Sequence, residues 1–284
     1  MIKLTNVDKQ YKEHHALDSV TVEFPEHETT VILGPSGAGK STLLRAINLL
    51  ERPQTGTMTI GDLTVDFSKN LSNHEVLALR RKTAMVFQSW NLFPHLTILR
   101  NITEGPIHVL KQDKATAEKH AMELLEQVGL ADTANRYPNQ LSGGQQQRIS
   151  ICRALAMNPY YILFDEPTSA LDPELEAQVL RVLQDLAKSQ HSMIVVTHNM
   201  EFARRVADKI VFVEEGRVEF AGTSEAFFNR PTERIATFLD AMKFWFYKKL
   251  SYEAAKQHNS VFCFKVFFEH HKALRLYGQR GEHL

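Results

Sequence analysis

The sequence predicts an α/β protein built around a largely parallel sheet. Short strands alternate with helices over most of the 284 residues, as in folds whose parallel strands are joined by crossover helices. A β-branched run, Thr29–Leu33, leads into a glycine-rich turn and then into an amphipathic helix, which is one unit of such a fold. The chain is 43% hydrophobic and 23% charged, which is ordinary for a globular protein and excludes wholesale disorder.

The individual elements follow from hydrophobic periodicity and from turn residues at their ends. Apolar residues that alternate or run together between turn signals predict nine strands: Ile2–Val7, Val20–Phe24, Thr29–Leu33, Thr57–Ile60, Thr83–Phe87, Tyr160–Phe164, Met193–Thr197, Lys209–Val213 and Arg217–Ala221. A period near 3.6 predicts helices at Gly39–Leu50, Ala115–Val128, Gln146–Met157, Glu174–Lys188 and Met200–Ala207. Asp172 is the expected N-cap before Pro173, Gly129 the expected C-cap of its helix, and Glu215-Gly216 the turn of the last hairpin.

Composition excludes several classes of protein. Lys plus Arg equals Asp plus Glu at 33 each, so no overall basic charge favours nucleic acid. Runs of about 18 uncharged apolar residues are absent, and the N-terminal residues lack the apolar stretch of a secretory signal. Two cysteines, Cys152 and Cys263, are too few for a disulfide framework and suit a reducing compartment. A secreted, disulfide-stapled or collagenous protein is therefore not expected.

The neutral overall charge conceals a basic C-terminal segment. Residues 243–284 carry eight Lys or Arg against three Asp or Glu, a net charge of +5, and ten of the 26 aromatic residues. We place a boundary near Met242, which divides the chain into a domain of residues 1–242 and a tail of residues 243–284. The tail is either sequence beyond the natural end of the domain or a basic, aromatic segment of the kind that binds membrane surfaces.

A phosphate-binding loop is predicted between the Thr29–Leu33 strand and the helix after it. The residues that match the pattern G-x-x-x-x-G-K-[ST] are Gly34, Pro35, Ser36, Gly37, Ala38, Gly39, Lys40, Ser41 and Thr42. Glycines let successive backbone N–H groups curl around phosphate oxygens, and the helix that follows adds its positive N-terminal dipole. Lys40 supplies a positive charge to the β- and γ-phosphates, and the Ser41 hydroxyl is a candidate ligand of Mg²⁺. The pattern indicates a nucleotide site.

Two carboxylates complete this predicted site from another strand. The apolar run Tyr160–Phe164 ends in Asp165 and Glu166, and an apolar strand that delivers a carboxylate to Mg²⁺ is the expected Walker B arrangement. Glu166 is the better candidate for the base that polarises a water against the γ-phosphate.

Five further motifs resemble those of ATP-binding cassette (ABC) proteins. Leu141-Ser142-Gly143-Gly144-Gln145 looks like the family's signature, and the others stand in the family's order: Tyr11, Gln88, Ser169-Ala170-Leu171-Asp172 and His198. The resemblance covers about residues 1–240. It implies a P-loop NTPase nucleotide-binding domain with a RecA-like core, an antiparallel β subdomain and a helical signature subdomain at about residues 90–157.

The same resemblance implies a role for each motif. Tyr11 would stack on adenine, Gln88 would reach the metal and the attacking water, and His198 would hold that water with Glu166. The nucleotide-binding set also includes Ser142, Gly143, Gly144, Gln145 and Asp172, and the metal set is Ser41, Gln88 and Asp165. In the family two domains sandwich two ATP molecules, so the implied partners begin with a second copy of this chain, and the cofactors are ATP and Mg²⁺.

Three functions compete at this point. A soluble P-loop kinase or GTPase is disfavoured because the signature and His198 are not part of those sites. An ABC ATPase that acts on nucleic acid would carry a long coiled-coil insertion, but only about 100 residues without sustained heptads separate Lys40 from Leu141. The remaining interpretation is the ATPase subunit of a membrane importer, bound to the cytoplasmic face of the cell membrane, with no nucleic-acid partner.

The segment after Gln88 narrows the substrate class. Phe87–Thr97 is similar to the F-N-L-F-P-H-L-T stretch of polar amino acid importers, although Ser89-Trp90 and Arg100 depart from the usual residues. The resemblance implies that exposed Trp90, Leu92 and Phe93 receive an integral membrane permease, and that an extracytoplasmic substrate-binding protein joins the complex. Methionine importers are the alternative, but they carry a regulatory C-terminal domain that a 42-residue tail is too short to form.

Overall fold

The structure is a computed structural model that describes residues 1–243. The described residues divide into two units, the first of residues 1–228 and the second beginning at residue 229. In the second unit residues 233–243 are helical. Almost all of the predicted basic tail, and Cys263 with it, lies outside the described residues.

Two sheets organise the first unit. The smaller sheet is antiparallel with strand order β2-β1-β4-β5, and the larger has the order β10-β9-β3-β8-β7-β6. In the larger sheet all neighbouring strands are parallel except the edge pair β9 and β10. The strands are β1 Ile2–Tyr11, β2 His14–Phe24, β3 Thr29–Leu33, β4 Thr55–Ile60, β5 Leu63–Asp66, β6 Thr83–Val86, β7 Tyr161–Asp165, β8 Met193–Val196, β9 Lys209–Glu214 and β10 Arg217–Thr223.

Helices connect the parallel strands and also form a separate layer. They are α1 Lys40–Ile47, α2 Asn73–Lys82, α3 Ile98–His108, α4 Lys114–Gln127, α5 Gly143–Leu155, α6 Pro173–Lys188, α7 Met200–Val206 and α8 Ser224–Asn229. Side-chain caps open most of them, as at Asp172, whose carboxylate accepts the Leu175 N–H at 3.0 Å. Within residues 1–243, no helix combines the length and the apolar character needed to cross a membrane.

Hydrophobic cores hold these layers, and two of them consist of distinct sets of buried residues. One joins both sheets to α1 through fully buried residues such as Leu4, Phe24, Leu43 and Leu163. The other lies among α3, α4 and α5. The helical layer between β6 and β7 therefore has a core of its own. The bounds of residues 90–157 for a helical subdomain stay a prediction.

The predicted fold class is confirmed, but several elements were missed or misplaced. The strand β5 and the helices α2, α3 and α8 were not predicted. The helix expected from Gln146 begins at Gly143, so the signature glycines form its first turn. The predicted N-cap Asp172 and the hairpin turn at Glu215-Gly216 are confirmed. The predicted C-cap Gly129 is one residue too late: the C-cap of α4 is Val128, and Gly129 follows it with a left-handed φ of 69°.

The parallel strands bring the predicted motifs to one edge of the larger sheet. Gly34 follows β3, Gln88 follows β6, Glu166 follows β7 and His198 follows β8. In parallel strands these carboxyl ends share an edge, which is the usual ligand-binding edge of α/β sheets. The sheet topology therefore assembles one site from four distant segments.

Candidate active site

The phosphate loop wraps the uncapped start of α1. Gly39 occupies the N-cap position with a left-handed φ of 101°, and its helix has no side-chain cap. The first N–H groups of α1 are therefore free of a side-chain acceptor, which suits a phosphate oxygen. Ser36 and Gly37, on the outer side of the loop, are exposed.

Lys40 points back into its own loop. Its ammonium donates to the carbonyl oxygens of Gly34 at 2.8 Å and Pro35 at 2.7 Å, and the residue is only 6% exposed. Burial lowers the Lys40 pKa, while the nearby carboxylates of Glu166 and Asp165 act to raise it. A buried ammonium held by two carbonyls, with carboxylates close by, is in position to bind anionic phosphate.

Gly34 is required by close backbone packing. A Cβ at Gly34, where φ is +147°, would lie 2.0 Å from the carbonyl oxygen of Val213. Gly37 differs, since a Cβ there would meet nothing within 4 Å although φ is +78°. The loop therefore follows β9 closely at Gly34 and stands open at Gly37.

This contrast gives a stability prediction. Gly34→Ala should lower the free energy of unfolding by more than about 2 kcal/mol, because strain and a backbone clash combine. The matched variant Gly37→Ala should cost about 1 kcal/mol, from left-handed strain alone. Chemical denaturation of both variants measures the difference, and equal losses would contradict the close packing at Gly34.

Asp165 is the most buried carboxylate of the site. It is 4% exposed, and its Oδ1 accepts the Ser41 hydroxyl at 2.7 Å. Its Oδ2 accepts Arg45 Nε at 3.1 Å and Nη2 at 2.9 Å. The predicted metal pair Ser41 and Asp165 is thus brought into contact, with an arginine that the sequence analysis did not single out.

Glu166 and His198 form a second pair beside the first. His198 Nε2 lies 2.7 Å from Glu166 Oε1. The hydrogen bond from His198 is the largest influence on the Glu166 pKa and holds it below its ordinary value. Because its pKa is lowered, the Glu166 carboxylate is ionised at neutral pH and able to accept a proton. Its backbone has a left-handed φ of 48°, an uncommon conformation for this residue type.

Tyr11 lies beside the end of the phosphate loop. Tyr11 is 39% exposed, and the Lys9 ammonium lies 4.7 Å from the centroid of its ring. Burial and hydrogen bonding to Glu51 raise the Tyr11 pKa to about 12, and a hydrogen bond from Thr42 opposes that rise. The contact with Thr42 places a partly open aromatic ring next to the nucleotide loop.

The loop after Gln88 is tied to α5. Gln88 itself is exposed in the turn beyond β6. Gln147 donates from Nε2 to the carbonyl of Phe87 at 3.3 Å, and Arg153 donates to the carbonyls of Trp90 at 3.1 Å and Asn91 at 2.6 Å. We call these contacts the loop clamp, because they bind residues 87–91 to one helix.

Trp90 is not the exposed side chain that the sequence suggested. It is half-buried, and a Cβ at Gly143 would lie 2.9 Å from its Cζ2 atom. Leu92 is also half-buried, against the helical core, whereas Phe93 is 46% exposed as expected. The prediction of exposure was wrong for Trp90 because Gly143 of α5 leaves room for the indole ring. It was wrong for Leu92 because this side chain packs against the helical core.

The signature residues lie at the start of α5. Ser142 is the N-cap: its hydroxyl accepts the Gln145 N–H at 3.3 Å, and its own N–H donates to Gln145 Oε1 at 2.9 Å. Gly143 packs against Trp90 and Leu171, and Gly144 against Leu175. The signature therefore lies in the helical layer, while the strand-end carboxylates belong to the larger sheet.

The comparison with protein families identifies the family to which the chain belongs. Residues 17–169 match the family described as ABC transporter, which is more than half of the chain. The chain belongs to this family. As an ABC protein it binds ATP and is an ATPase, which agrees with the phosphate loop and the carboxylates beneath it.

ABC transport proteins of other organisms resemble this chain over most of its length. The glutamate transport ATP-binding protein GluA of Corynebacterium glutamicum is 51% identical over 241 residues, which are 84% of this chain and 98% of that protein. The L-cystine transport system ATP-binding protein TcyN of Escherichia coli is 48% identical over 242 residues, or 84% and 97% of the two chains.

A solved structure shows the same fold in a dimer. The ATP-binding cassette MJ0796, in a post-hydrolysis dimer bound to ADP and Pi, has a TM-score of 0.70 and 38% identity. The match covers 79% of this chain and 99% of that chain. ABC cassettes of this kind dimerise and work with other transporter components.

Sequence reasoning overlooked two residues of this ABC site. Arg45 reads as an ordinary surface arginine of α1, but its place four residues after Ser41 puts both on one helix face. Arg153 reads as a helix residue far from the phosphate loop, and only the fold brings it to the carbonyls of residues 90 and 91. The helical spacing could have revealed Arg45, whereas no local signal marks Arg153.

Proposed function

We propose that this chain is the ATP-hydrolysing subunit of an importer for polar amino acids. The relatives that support this substrate class include ATP-binding proteins for transport of cystine, glutamate, arginine and glutamine. The observation that supports hydrolysis is the pairing of Ser41 with Asp165 and of Glu166 with His198 at one sheet edge. The proposed complex includes integral membrane permease subunits and an extracytoplasmic substrate-binding protein, with this chain peripheral on the cytoplasmic face of the cell membrane.

Ser41 and Asp165 fit a Mg²⁺ site. A hydroxyl oxygen and a carboxylate oxygen 2.7 Å apart, next to a phosphate loop, are the oxygen ligands that Mg²⁺ takes together with substrate phosphates. Bound Mg²⁺ would neutralise charge on the β- and γ-phosphate oxygens. Gln88, exposed beyond β6, is the proposed third protein ligand.

Glu166 is the proposed base for hydrolysis. Its carboxylate takes a proton from water as the water oxygen attacks the γ-phosphorus and the bond to the ADP oxygen breaks. His198 orients that carboxylate through the 2.7 Å contact and is placed to hold the water and the γ-phosphate. Tyr11 is the proposed platform for adenine.

A second copy of the chain is the proposed source of the opposite face of each site. The signature Ser142–Gln145 opens α5, and a partner's α5 would direct that N-terminus at the γ-phosphate. Asp172, as the N-cap of α6, holds the loop at residues 169–172 that accompanies the signature. The dimeric MJ0796 cassette supports this arrangement.

An uptake measurement tests the proposed function. In the source strain with this gene deleted, uptake of labelled cystine, glutamate, glutamine or arginine should fall. Restoring the parental gene should restore it, whereas Glu166→Gln should not, because hydrolysis drives transport.

The control is the uptake of a labelled sugar, which should be unchanged by the deletion. Unchanged uptake of every polar amino acid would overturn the proposed substrate class. Loss of methionine uptake alone would favour the methionine importer that the sequence left open, and a DNA-repair phenotype without any uptake defect would favour the nucleic-acid alternative.

A further inference from the structure

We infer that Arg45 is a positioning residue for the metal carboxylate Asp165. The inference rests on the proposed role of Asp165 at Mg²⁺ and extends it to a residue outside the family motifs. Arg45 would act by fixing which oxygen of Asp165 is offered to the metal.

The two carboxylate oxygens of Asp165 accept hydrogen bonds from different donors. Arg45 donates twice, from Nε and Nη2, and both bonds end on Oδ2 of Asp165. The Ser41 hydroxyl donates to Oδ1. One oxygen is therefore occupied by a guanidinium, and the other faces the hydroxyl that would share the metal.

The local structure fixes which donor each oxygen of Asp165 faces. Ser41 and Arg45 are four residues apart in α1, so both side chains lie on the helix face that meets β7. Asp165 is the last residue of the buried strand β7 and is itself 4% exposed. With one oxygen anchored, the carboxylate cannot rotate Oδ1 away from Ser41 without breaking two charge-assisted bonds.

Electrostatics explains why an arginine stands here. A buried carboxylate without a partner is strongly destabilising, and Arg45 provides the positive charge when no metal is bound. Its side chain is 42% exposed, so the guanidinium stays partly hydrated while it holds Oδ2. Groups that orient a metal ligand in this way typically change metal affinity by about 10- to 100-fold when removed.

The test compares ATP affinity with and without metal. Binding of a fluorescent ATP analogue to the full chain is measured in EDTA and in excess Mg²⁺. The metal effect is the dissociation constant in EDTA divided by the dissociation constant in Mg²⁺. Arg45→Gln should reduce that ratio about tenfold or more while leaving affinity in EDTA within about twofold. Arg45→Lys keeps the charge but loses the two-bond geometry, so its ratio should lie between those of the parental chain and Arg45→Gln.

The matched control is Arg136→Gln. Arg136 also pairs with an aspartate, Asp132 at 2.9 Å, but both are exposed in the helical layer. The control should keep the parental ratio. Thermal unfolding of each variant verifies that it is folded, and Arg45→Lys carries the test if Arg45→Gln fails to fold.

The outcomes separate this inference from the proposed function. If the parental chain shows no metal effect, or Asp165→Asn leaves it intact, the proposed metal site is wrong. If Asp165→Asn abolishes the effect and Arg45→Gln retains it, Arg45 has no positioning role. Equal weakening in EDTA and Mg²⁺ would show a structural role only, and a larger metal effect in Arg45→Gln would show that Arg45 competes with the metal; both overturn the inference.

Discussion

Glu166→Gln is expected to lower the ATPase turnover number by roughly a hundredfold or more, the usual consequence of losing a general base. The amide cannot accept a proton from water, yet it has the size of the carboxylate and can still bond His198 Nε2, which lies 2.7 Å away. ATP binding should therefore persist. Steady-state phosphate release measures turnover, and size-exclusion chromatography with ATP should show a stable dimer.

The matched control is Glu201→Gln, three residues beyond His198. Glu201 is exposed and pairs with Arg205 along α7, so the same chemical change there should leave turnover near the parental value. Parental turnover in Glu166→Gln would remove Glu166 from the role of base. A loss of ATP binding would instead show that Glu166 supports the phosphate loop.

Mixing two inactive variants is expected to restore activity. Lys40→Ala removes the ammonium that lies on the Gly34 and Pro35 carbonyls, and Ser142→Arg blocks the signature that a partner would receive. Each variant alone should have less than about a tenth of parental turnover, because every composite site is damaged. In an equal mixture half of the dimers pair the two variants, and each has one intact site, so activity should reach roughly a quarter of the parental rate.

The result distinguishes a sandwich of two chains from a self-contained site. Full activity of Ser142→Arg alone would exclude the partner's signature from hydrolysis. Failure of the mixture to recover, with mixed dimers demonstrated by differential tagging, would show that both sites must be intact. The control is Ser189→Arg, an exposed position at the C-terminal end of α6, which should keep parental turnover.

Contiguous motifs were predictable because their chemistry is local in sequence. Gly34–Thr42 is recognisable between its strand and helix, and the structure places Lys40, Ser41 and Asp165 together as the motifs imply. Arg45 and Arg153 bond to residues 120 and 62–63 positions away. The helical spacing from Ser41 could have pointed to Arg45, but Arg153 could not be found without the fold. Trp90 was misjudged for the same reason, since its burial depends on a glycine in α5.

The unpredicted helices had weaker signals of two kinds. α2 carries a capping box between Ser72 and Glu75, but only one of its residues, Leu79, is buried, so its hydrophobic period is faint. α3 contains Pro106, a residue that normally ends a helix. Packing of α3 against α4 and α5 outweighs that local preference.

The loop clamp connects the exposed residue Phe93 to the helix that carries the signature. Phe93 stands at the open end, where the Arg153 guanidinium lies 5.7 Å from its ring, and the same guanidinium holds the two preceding carbonyls. At the other end of the same helix is Ser142. The exposed Phe93 and the signature serine are therefore connected through a single helix, with Arg153 near its C-terminal end and Ser142 at its N-cap.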